Sequence, residues 1–379
     1  MSSDEALAKV LSGRIWEEFC DRLKEAGQVI LRPEAPATEI DRAEGWRYLS
    51  RLTRIALEMM LEHADPDFPT LYSASHATAK IGADNPDNLY LNATITGDCE
   101  YRLRGARGTV PYLSFGTKAN RYATEGTMAS TGELDGNDLV VSSNGTFEIT
   151  VSRERRPGNW LPLGPDSTLL IVRETFLDRP NETPATVTIE RIGGPSGPEP
   201  LTAERVNRGL ASAAAFVTGT ARTFADWAKS FQCQPNTLAT VDQSLFRKAG
   251  GDPNIFYLHG YWAVAADEAL VIDTAVPECE LWNFQLDNHW MESLDYRYLP
   301  VCVNKHTAQY NPDGSVTLVI GSSDPGSGNF LYTAGHDCGT MLLRWTRARQ
   351  HPIPTCRLVK LASLAENAAG YAPRNDLQR

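Results

Sequence analysis

Long apolar runs are missing from this sequence: none reaches the roughly 20 residues that a membrane helix needs. The opening "MSSDEALAKVLSGRIWEEF" carries acids early and lacks the basic-then-apolar layout of a secretory signal. Paired cysteines are missing too. The seven cysteines, at 20, 99, 233, 279, 302, 338 and 356, are scattered, odd in number and without a C-x-x-C. That excludes a disulfide framework and a structural zinc site, and it fits a reducing compartment. Positive charge is short as well. The formal net charge is −11, and the one basic cluster, "SRERRPGNW" (152–160), contains Glu154. Gripping phosphate backbones requires a dense basic surface, so no nucleic-acid partner is expected. No membrane partner is expected either, and a cytoplasmic location is. Asn92, Asn144 and Asn181 sit in N-x-T, which in a cytosolic chain is chance.

Familiar chemical signatures are equally scarce. There is no Walker sequence, no H-x-H and no H-E-x-x-H. "RIGGPSGP" is not a dinucleotide fingerprint. "GSSDPGSG" (321–328) lacks the G-x-S-x-G elbow, and its glycines fit a hairpin loop. No cofactor is expected.

What is present is a β-rich chain framed by helices. With 379 residues, two to three domains are expected. Residues 1–66 read as a helical segment. "DEALAKVLSGRIWEEFCDRLKEAG" places Leu7, Val10, Leu11, Ile15 and Phe19 at three- and four-residue spacing, predicting one helix that ends at Gly27. A second helix fits 42–65, stopped by Pro66. Residues 67–195 give short runs such as "NLYLNATI", "TFEITV", "TLLIVRETF" and "ATVTIERI", bounded by Gly, Asn, Asp and Pro, which predict an antiparallel sandwich. "GGPSGPEP" (193–200) reads as a linker. Residues 196–250 form a connector whose helix spans 202–232. Residues 251–362 are a second β-rich block, and 363–379 a loose tail.

The two β blocks repeat each other. "NPDNLYL" at 85 matches "DPNIFYL" at 252, "LSF" at 113 matches "WNF" at 282, and "NGTFEITV" at 144 matches "DGSVTLVI" at 313. "GNWL" at 158 matches "GNFL" at 328, and "LLIVR" ending at 173 matches "MLLR" ending at 344. The order is kept and the offset drifts slowly, as loop insertions would produce. The fold class expected is therefore mainly β with helical segments: two related antiparallel β-sandwich, jelly-roll-like domains joined by a helical connector. Copy two has "YTAGHDCGT" where copy one has "PLGPDST", and "QLDNHWMESLDY" where copy one has "GTKANRYATEG". Shared apolar positions serve folding; the added polar groups of copy two point to function.

At these residues the chain resembles the bacterial family catalogued as domain of unknown function 1214, often found with its partner family 1254. "WNFQLDNHWMESLDYR", "NKHTAQYNPDGSVTLVI", "DPGSGNFLYTAGH" and "GTMLLRW" carry the resemblance, and copy one echoes the family's ending as "GNWLPLGPDSTLLIVRETF". It covers most of 85–195 and 250–348. It implies two β-sandwich-like domains linked by helices, often in oligomers, and implies no reaction.

Three clusters carry the candidate chemistry. In "NFQLDNHWMESLDYR", strand alternation puts Trp282, Phe284 and Leu286 on one face and Asn283, Gln285 and Asp287 on the other, followed by a turn through His289. Asn283, Gln285 and His289 are the ligand-binding candidates there. Glu292 adds a carboxylate near Trp290 and Tyr296, a pairing suited to sugars or rings. In "NKHTAQYN", adjacent Lys305 and His306 point to opposite faces of a strand, so His306 with Tyr310 is the better pair. In "YTAGHDCG", His336 lies between glycines, and an imidazole there can shuttle protons near neutral pH. Its better carboxylate partner is Asp287, Glu292 or Asp295 rather than adjacent Asp337. Cys338 reads as a passive thiol and His259, in "YLHGYW", as a packed histidine. The catalytic candidates are His336, His306, Asp287 and Glu292.

The expectation is a cytoplasmic, cofactor-free enzyme doing acid–base chemistry of lyase, hydrolase or isomerase type. Its substrate would be a small organic or sugar-like molecule bound in the second β domain, and the chain would form a homo-oligomer. One alternative is a non-catalytic ligand-binding or assembly protein. Another is a divalent-metal enzyme using His289, His306 and His336 with Asp287.

Overall fold

The structure, a computed structural model, describes residues 2–326 and 328–368. It divides into two compact units. The first comprises Met1–Trp227 with Asp242–Pro253, the second Ala228–Val241 with Asn254–Arg379.

The first unit opens with helices α1 (Ser3–Ser12), α2 (Arg14–Ala26) and α3 (Glu39–Leu57). The single helix expected up to Gly27 is two, because Gly13 takes a left-handed φ of 78° and returns its N–H to Val10 O. Only glycine adopts that backbone without a Cβ clash, so the apolar period continues across a break that spacing alone does not reveal. Thr38 caps α3 by accepting the Asp41 N–H at 3.2 Å. The helix therefore starts earlier than the apolar pattern suggests, and it ends in one π turn, Glu58–Glu62, before Pro66.

Eight strands follow: β1 (Asn88–Thr94), β2 (Glu100–Ala106), β3 (Tyr112–Arg121), β4 (Thr127–Asp135), β5 (Thr146–Ser152), β6 (Asn159–Pro162), β7 (Leu169–Thr175) and β8 (Thr186–Ile192). They form two four-stranded sheets, in orders β1-β7-β3-β4 and β6-β5-β2-β8. Residues of both sheets share one core, including Leu103, Phe115, Phe147, Ile149, Leu170 and Val172. Helix α4 (Ala203–Gln232) is helped at its start by Thr202, which accepts the Arg205 N–H. After the two-residue strand β9 (Thr237–Leu238) comes the short helix α5 (Gln243–Lys248).

The second unit holds β10 (Ile255–Ala263), β11 (Glu268–Thr274), β12 (Leu281–Leu286), β13 (Cys302–Asn304), β14 (Val316–Gly321), β15 (Phe330–Tyr332), β16 (Cys338–Thr346) and β17 (Thr355–Lys360). Its sheets run β10-β16-β12-β13 and β15-β14-β11-β17. Adding nine to every strand of the first unit's sheets gives these orders, and each quoted sequence match falls on an equivalent strand pair. Trp262, Leu270, Phe284, Leu318, Leu343 and Trp345 belong to its shared core.

Pairing is antiparallel except for β5 with β6 and β14 with β15, which run parallel. The glycine-rich segment from 322 therefore joins parallel neighbours and is not a hairpin loop. The expected tail over 363–379 divides. Residues 363–368 belong to helix α6 (Leu361–Ala368), and 369–379 lie outside the described residues. No helix among the described residues is long and apolar enough to cross a membrane.

Phe284 is fully buried between the second unit's sheets. Truncating such a side chain leaves a cavity, so Phe284→Ala is expected to cost about 3–5 kcal/mol. A lower urea midpoint at unchanged m value would show it.

Candidate functional site

Strands β10, β16 and β12 turn alternate side chains away from the core they share. The register lines these up in rows. Tyr257 lies beside Arg344, which lies beside Asn283, which lies beside Asn304. The next row is His259, Leu342, Gln285 and Cys302, and the third pairs Tyr261 with Thr340. Asp287 extends that third row through its N–H, which Thr340 O accepts at 2.8 Å. All of these residues except Cys302 are buried. The polar face expected on β12 exists, but it is neither a solvated surface nor a bare apolar layer. Buried polar groups need partners, and a chain of them runs along the rows. Arg344 Nη1 donates to Gln285 Oε1, and Gln285 Nε2 donates to Asp287 Oδ1. Thr340 Oγ1 donates to the second Asp287 oxygen at 3.3 Å.

Beyond Asp287 the chain makes a tight turn. The Trp262 indole N–H is shared between Asp287 O (3.2 Å) and Thr340 O (3.0 Å). Gly339 allows this: a Cβ there would sit 2.2 Å from Asp287 O and 2.9 Å from Trp262 Nε1. Asn288 then organises the turn. Its side-chain oxygen accepts the N–H groups of Trp290 (2.9 Å) and Glu292 (3.2 Å), and its amide donates to Glu292 Oε2 at 3.1 Å. Met291 takes a left-handed φ of 55° at the apex. Asp287 and Glu292 thus both hold the turn that presents His289.

His289 is 1% exposed and stands edge-on to Trp290, with ring centroids 4.9 Å apart. Its Nδ1 lies 3.0 Å from the Tyr261 hydroxyl. That hydroxyl accepts from Gln232 Nε2 at 3.1 Å and donates to Cys338 Sγ at 3.2 Å. A phenol has one proton and two lone pairs. With the proton directed at sulfur, the oxygen accepts from both Gln232 and a His289 Nδ1–H. Gln232 and Cys338 keep part of their surface accessible.

His259, in the middle row, stacks on Phe231 with centroids 5.2 Å apart. Burial first, and the Arg344 cation second, push its pKa down to about 3. It is a neutral packed histidine, as its aromatic strand suggests.

The first unit carries the same rows with different chemistry. Tyr90, Arg173 and Ser114 occupy the positions of Tyr257, Arg344 and Asn283. Arg173 pairs with Asp252 at 2.6 Å, and Ser114 donates to the same carboxylate at 3.0 Å. Carrying the registers along the strands sets Thr94 at the place of Tyr261 and Lys118 at that of Asp287. Lys118 is buried against Glu133; burial pushes its ammonium pKa down and Glu133 opposes this.

His306 is exposed in a turn after β13 whose N–H is capped by Asn304, so Lys305 and His306 are not alternating strand residues. Tyr310 donates to Lys305 O at 2.9 Å and accepts from Trp282 Nε1. Tyr296 packs, partly buried, against the core. His336 is 4% exposed, and its N–H closes a turn on Thr333 O at 3.0 Å. No group of three or more His, Cys, Asp or Glu among the described residues is placed to hold a metal. The set of His289, His306 and His336 with Asp287 does not assemble. Sequence reasoning missed Tyr261, Gln232, Thr340 and Arg344. The Tyr and Arg common to "NLYL…LLIVR" and "IFYL…MLLR" were the available signal for the first row.

In the first unit, Arg47, Arg51 and Arg54 of α3 line a cavity of 260 Å³ with Ser50 and Thr78. Glu44 pairs with Arg47 at 3.1 Å, and Arg54 donates to Thr78 O at 2.9 Å, so protein groups already engage these arginines.

Two outcomes follow from this geometry. Gly339→Ala forces apart Asp287 and the Trp262 indole and is expected to lower stability by about 1–3 kcal/mol, measured by urea unfolding. His259 is neutral when folded, whereas in the unfolded chain it protonates near its ordinary pKa of 6.5. The unfolded state therefore binds the extra proton between pH 6.5 and about 3, and stability falls with pH across that window by up to about 1.4 kcal/mol per unit. Replacing His259 by Phe is expected to remove that slope from a pH series of unfolding free energies.

The chain matches a family model described as "Protein of unknown function (DUF1214)" over residues 90–174, which run from β1 to β7 of the first unit. The sequence resemblance had leaned most on the second copy. A crystal structure of a putative uncharacterized protein from Burkholderia cenocepacia is 53% identical, with a TM-score of 0.92 over 94% of this chain and 99% of that one. The VPA0106 protein from Vibrio parahaemolyticus aligns at 11% identity and TM-score 0.46, over 83% of this chain and 98% of its own. No curated protein matches the chain. A relative that is half identical over nearly its whole length, together with the family match, places the assignment beyond the level of fold: the chain belongs to the family described as Protein of unknown function (DUF1214).

Proposed function

We propose that the second unit houses an acid–base site for a small polar organic molecule, sugar-like ligands included. His289 is the proton-transfer group and Tyr261 the residue that positions it. The observation that carries this reading is the 3.0 Å contact between the Tyr261 hydroxyl and His289 Nδ1, which orients the ring. The duplication supports it: where the second unit has Tyr261, the register gives the first unit Thr94, which does not titrate near neutrality.

Proton transfer without a cofactor suits lyase, hydrolase or isomerase chemistry. Asp287 and Glu292 take supporting roles, since their oxygens are held by Gln285, Thr340 and Asn288. The reading includes a cytoplasmic location, in keeping with seven free thiols. It also includes a homo-oligomer, for which exposed Leu7, Leu11 and Trp16 on α1 and α2 offer apolar surface.

A metabolite turnover screen of the wild-type protein tests this. For any substrate found, His289→Gln is expected to lower kcat by about 10²–10⁴-fold. Tyr261→Phe should lower it less, and His306→Ala should leave it unchanged. Full turnover by folded His289→Gln protein would overturn the assignment. Saturable ligand binding that no variant converts to product would favour a binding protein instead.

A further inference from the structure

We propose that the helical part of the first unit binds a single-chain anionic amphiphile, with its oxyanion head on Arg47 and Arg54 and its alkyl chain in the apolar hollow beside them. This does not rest on the acid–base reading of the second unit.

Two cavities meet along helix α3. Taking about 100° per residue, Leu49, Thr53, Trp46 and Ser50 cover one arc of about 100°, and Ser50, Arg54, Arg47 and Arg51 cover the next. The first arc borders a hollow of 410 Å³, completed by Leu23 of α2, by Leu31 and by Val217 of α4. The second borders the 260 Å³ cavity that Thr78 completes. Ser50 lines both, so the two are neighbours on one helix. The hollow presents apolar side chains to solvent: Trp46 is 44% exposed and Leu31 52%. A Cβ at Gly27 would come 3.3 Å from the Trp46 indole, so glycine lets that ring lie close against the chain after α2. Covering such surface with an alkyl chain is favourable in proportion to the area removed from water.

The arginines supply the other half. A guanidinium has five N–H donors. Arg47 gives Glu44 only its Nη1, at 3.1 Å. Arg54 uses only Nη2, on Thr78 O at 2.9 Å, with Thr78 Oγ1 at 3.4 Å and His76 Nε2 at 3.5 Å. Among the described residues, no carboxylate lies within ion-pair distance of Arg54. The Nε and the second Nη of each arginine are left for an acceptor, and that fork matches a phosphate or carboxylate. Burial first and the Arg54 cation second hold His76 below its ordinary pKa, ahead of the opposing carboxylates Glu58 and Asp84. Arg54 is thus the strongest charge acting at that point. Lys24, which also borders the hollow, is paired with Asp21 at 2.8 Å. A bare oxyanion would leave the hollow uncovered, and a neutral chain would leave the arginine donors unused; an amphiphile satisfies both. The protein's net charge of −11 disfavours an anionic bilayer surface, so the ligand is taken from solution as a monomer.

Isothermal titration calorimetry of the full-length protein at constant ionic strength tests this. The probes are octyl phosphate below its micelle concentration, inorganic phosphate and octanol. Octyl phosphate is expected to bind once per chain, tighter than either of the others by about 10-fold or more. Arg54→Gln should weaken octyl phosphate about 10-fold and leave octanol unchanged. Leu31→Asn should weaken octyl phosphate about 3-fold or more and leave inorganic phosphate unchanged. Both side chains are exposed, so both variants should keep the wild-type circular dichroism spectrum. Without any substitution, octyl phosphate should slow backbone hydrogen exchange in peptides covering 23–31 and 46–54. Equal affinity for octyl phosphate and inorganic phosphate, binding indifferent to Arg54→Gln, or protection confined to the second unit would overturn the proposal. Binding to phosphatidylglycerol vesicles with none to monomeric octyl phosphate would do the same. His289→Gln should leave the octyl phosphate affinity unchanged, so a failure of the acid–base reading and a failure of this one are told apart.

Discussion

The carbonyl oxygen of Asp287 occupies the place where a side chain at 339 would go. That close approach lets β16 and the end of β12 stay paired up to the point where β12 must turn away. The Trp262 indole fixes the junction by bonding both Asp287 O and Thr340 O, and its ring packs into the core beneath. One aromatic side chain thus links the hydrophobic interior to the turn that carries His289. Residues 287–294 are then determined by Asn288, whose side chain satisfies two backbone donors and a carboxylate. A histidine on an exposed loop would need its orientation held by the ligand. Here it is held by the sheet.

The duplication explains how this arrangement was available. A β sandwich needs its inward residues for packing, and both copies keep them: Phe115 and Phe284, Val172 and Leu343, Ile149 and Leu318. The opposite face of one sheet is under no such constraint. In both copies it retains a Tyr–Arg row, and there the likeness ends. Arg173 takes an ion pair with Asp252, and Arg344 donates to the Gln285 amide oxygen. Lys118 stands where Asp287 stands, so even the sign of charge is exchanged. Shared packing with divergent polarity follows because the fold constrains the inward face and leaves the outward one free to change.

Much of the architecture was legible because its causes are local. Strand runs, their bounding turns and the connector helix follow from periodicity and from residues such as Thr202 and Pro66. The break at Gly13 was hidden because the apolar period survives it, and the parallel pairing of β14 with β15 because loop composition does not report strand direction. The site was legible only in part. Asn283, Gln285, Asp287 and His289 lie in one stretch of sequence and were found together. Tyr261 and Gln232 were not, since cross-strand register, and not sequence distance, brings them there. His336 drew notice for its glycine neighbours, and the structure buries it in a turn that its N–H closes on Thr333 O. A loop histidine looks chemical in a sequence because nothing near it explains it. One on a β turn looks ordinary until its strand partners are known.

The choice of His289 over the carboxylates rests finally on charge. Arg344 and Asp287 are both buried, and an unpaired charge in such a place costs several kcal/mol. They do not touch. Gln285 stands between them, accepting from the guanidinium on its oxygen and donating to the carboxylate from its nitrogen. The amide dipole relays the cation to the anion and orders the row from Tyr257 to Thr340. The oxygens of this carboxylate already accept from Gln285 and Thr340. His259 is neutral and stacked, so it cannot act as an acid near neutrality. The face offers an imidazole joined to a phenol and a thiol, at the one end of the sheet where the chain leaves the ladder. Its polar residues are best understood as a charge-balanced floor that holds this end in place.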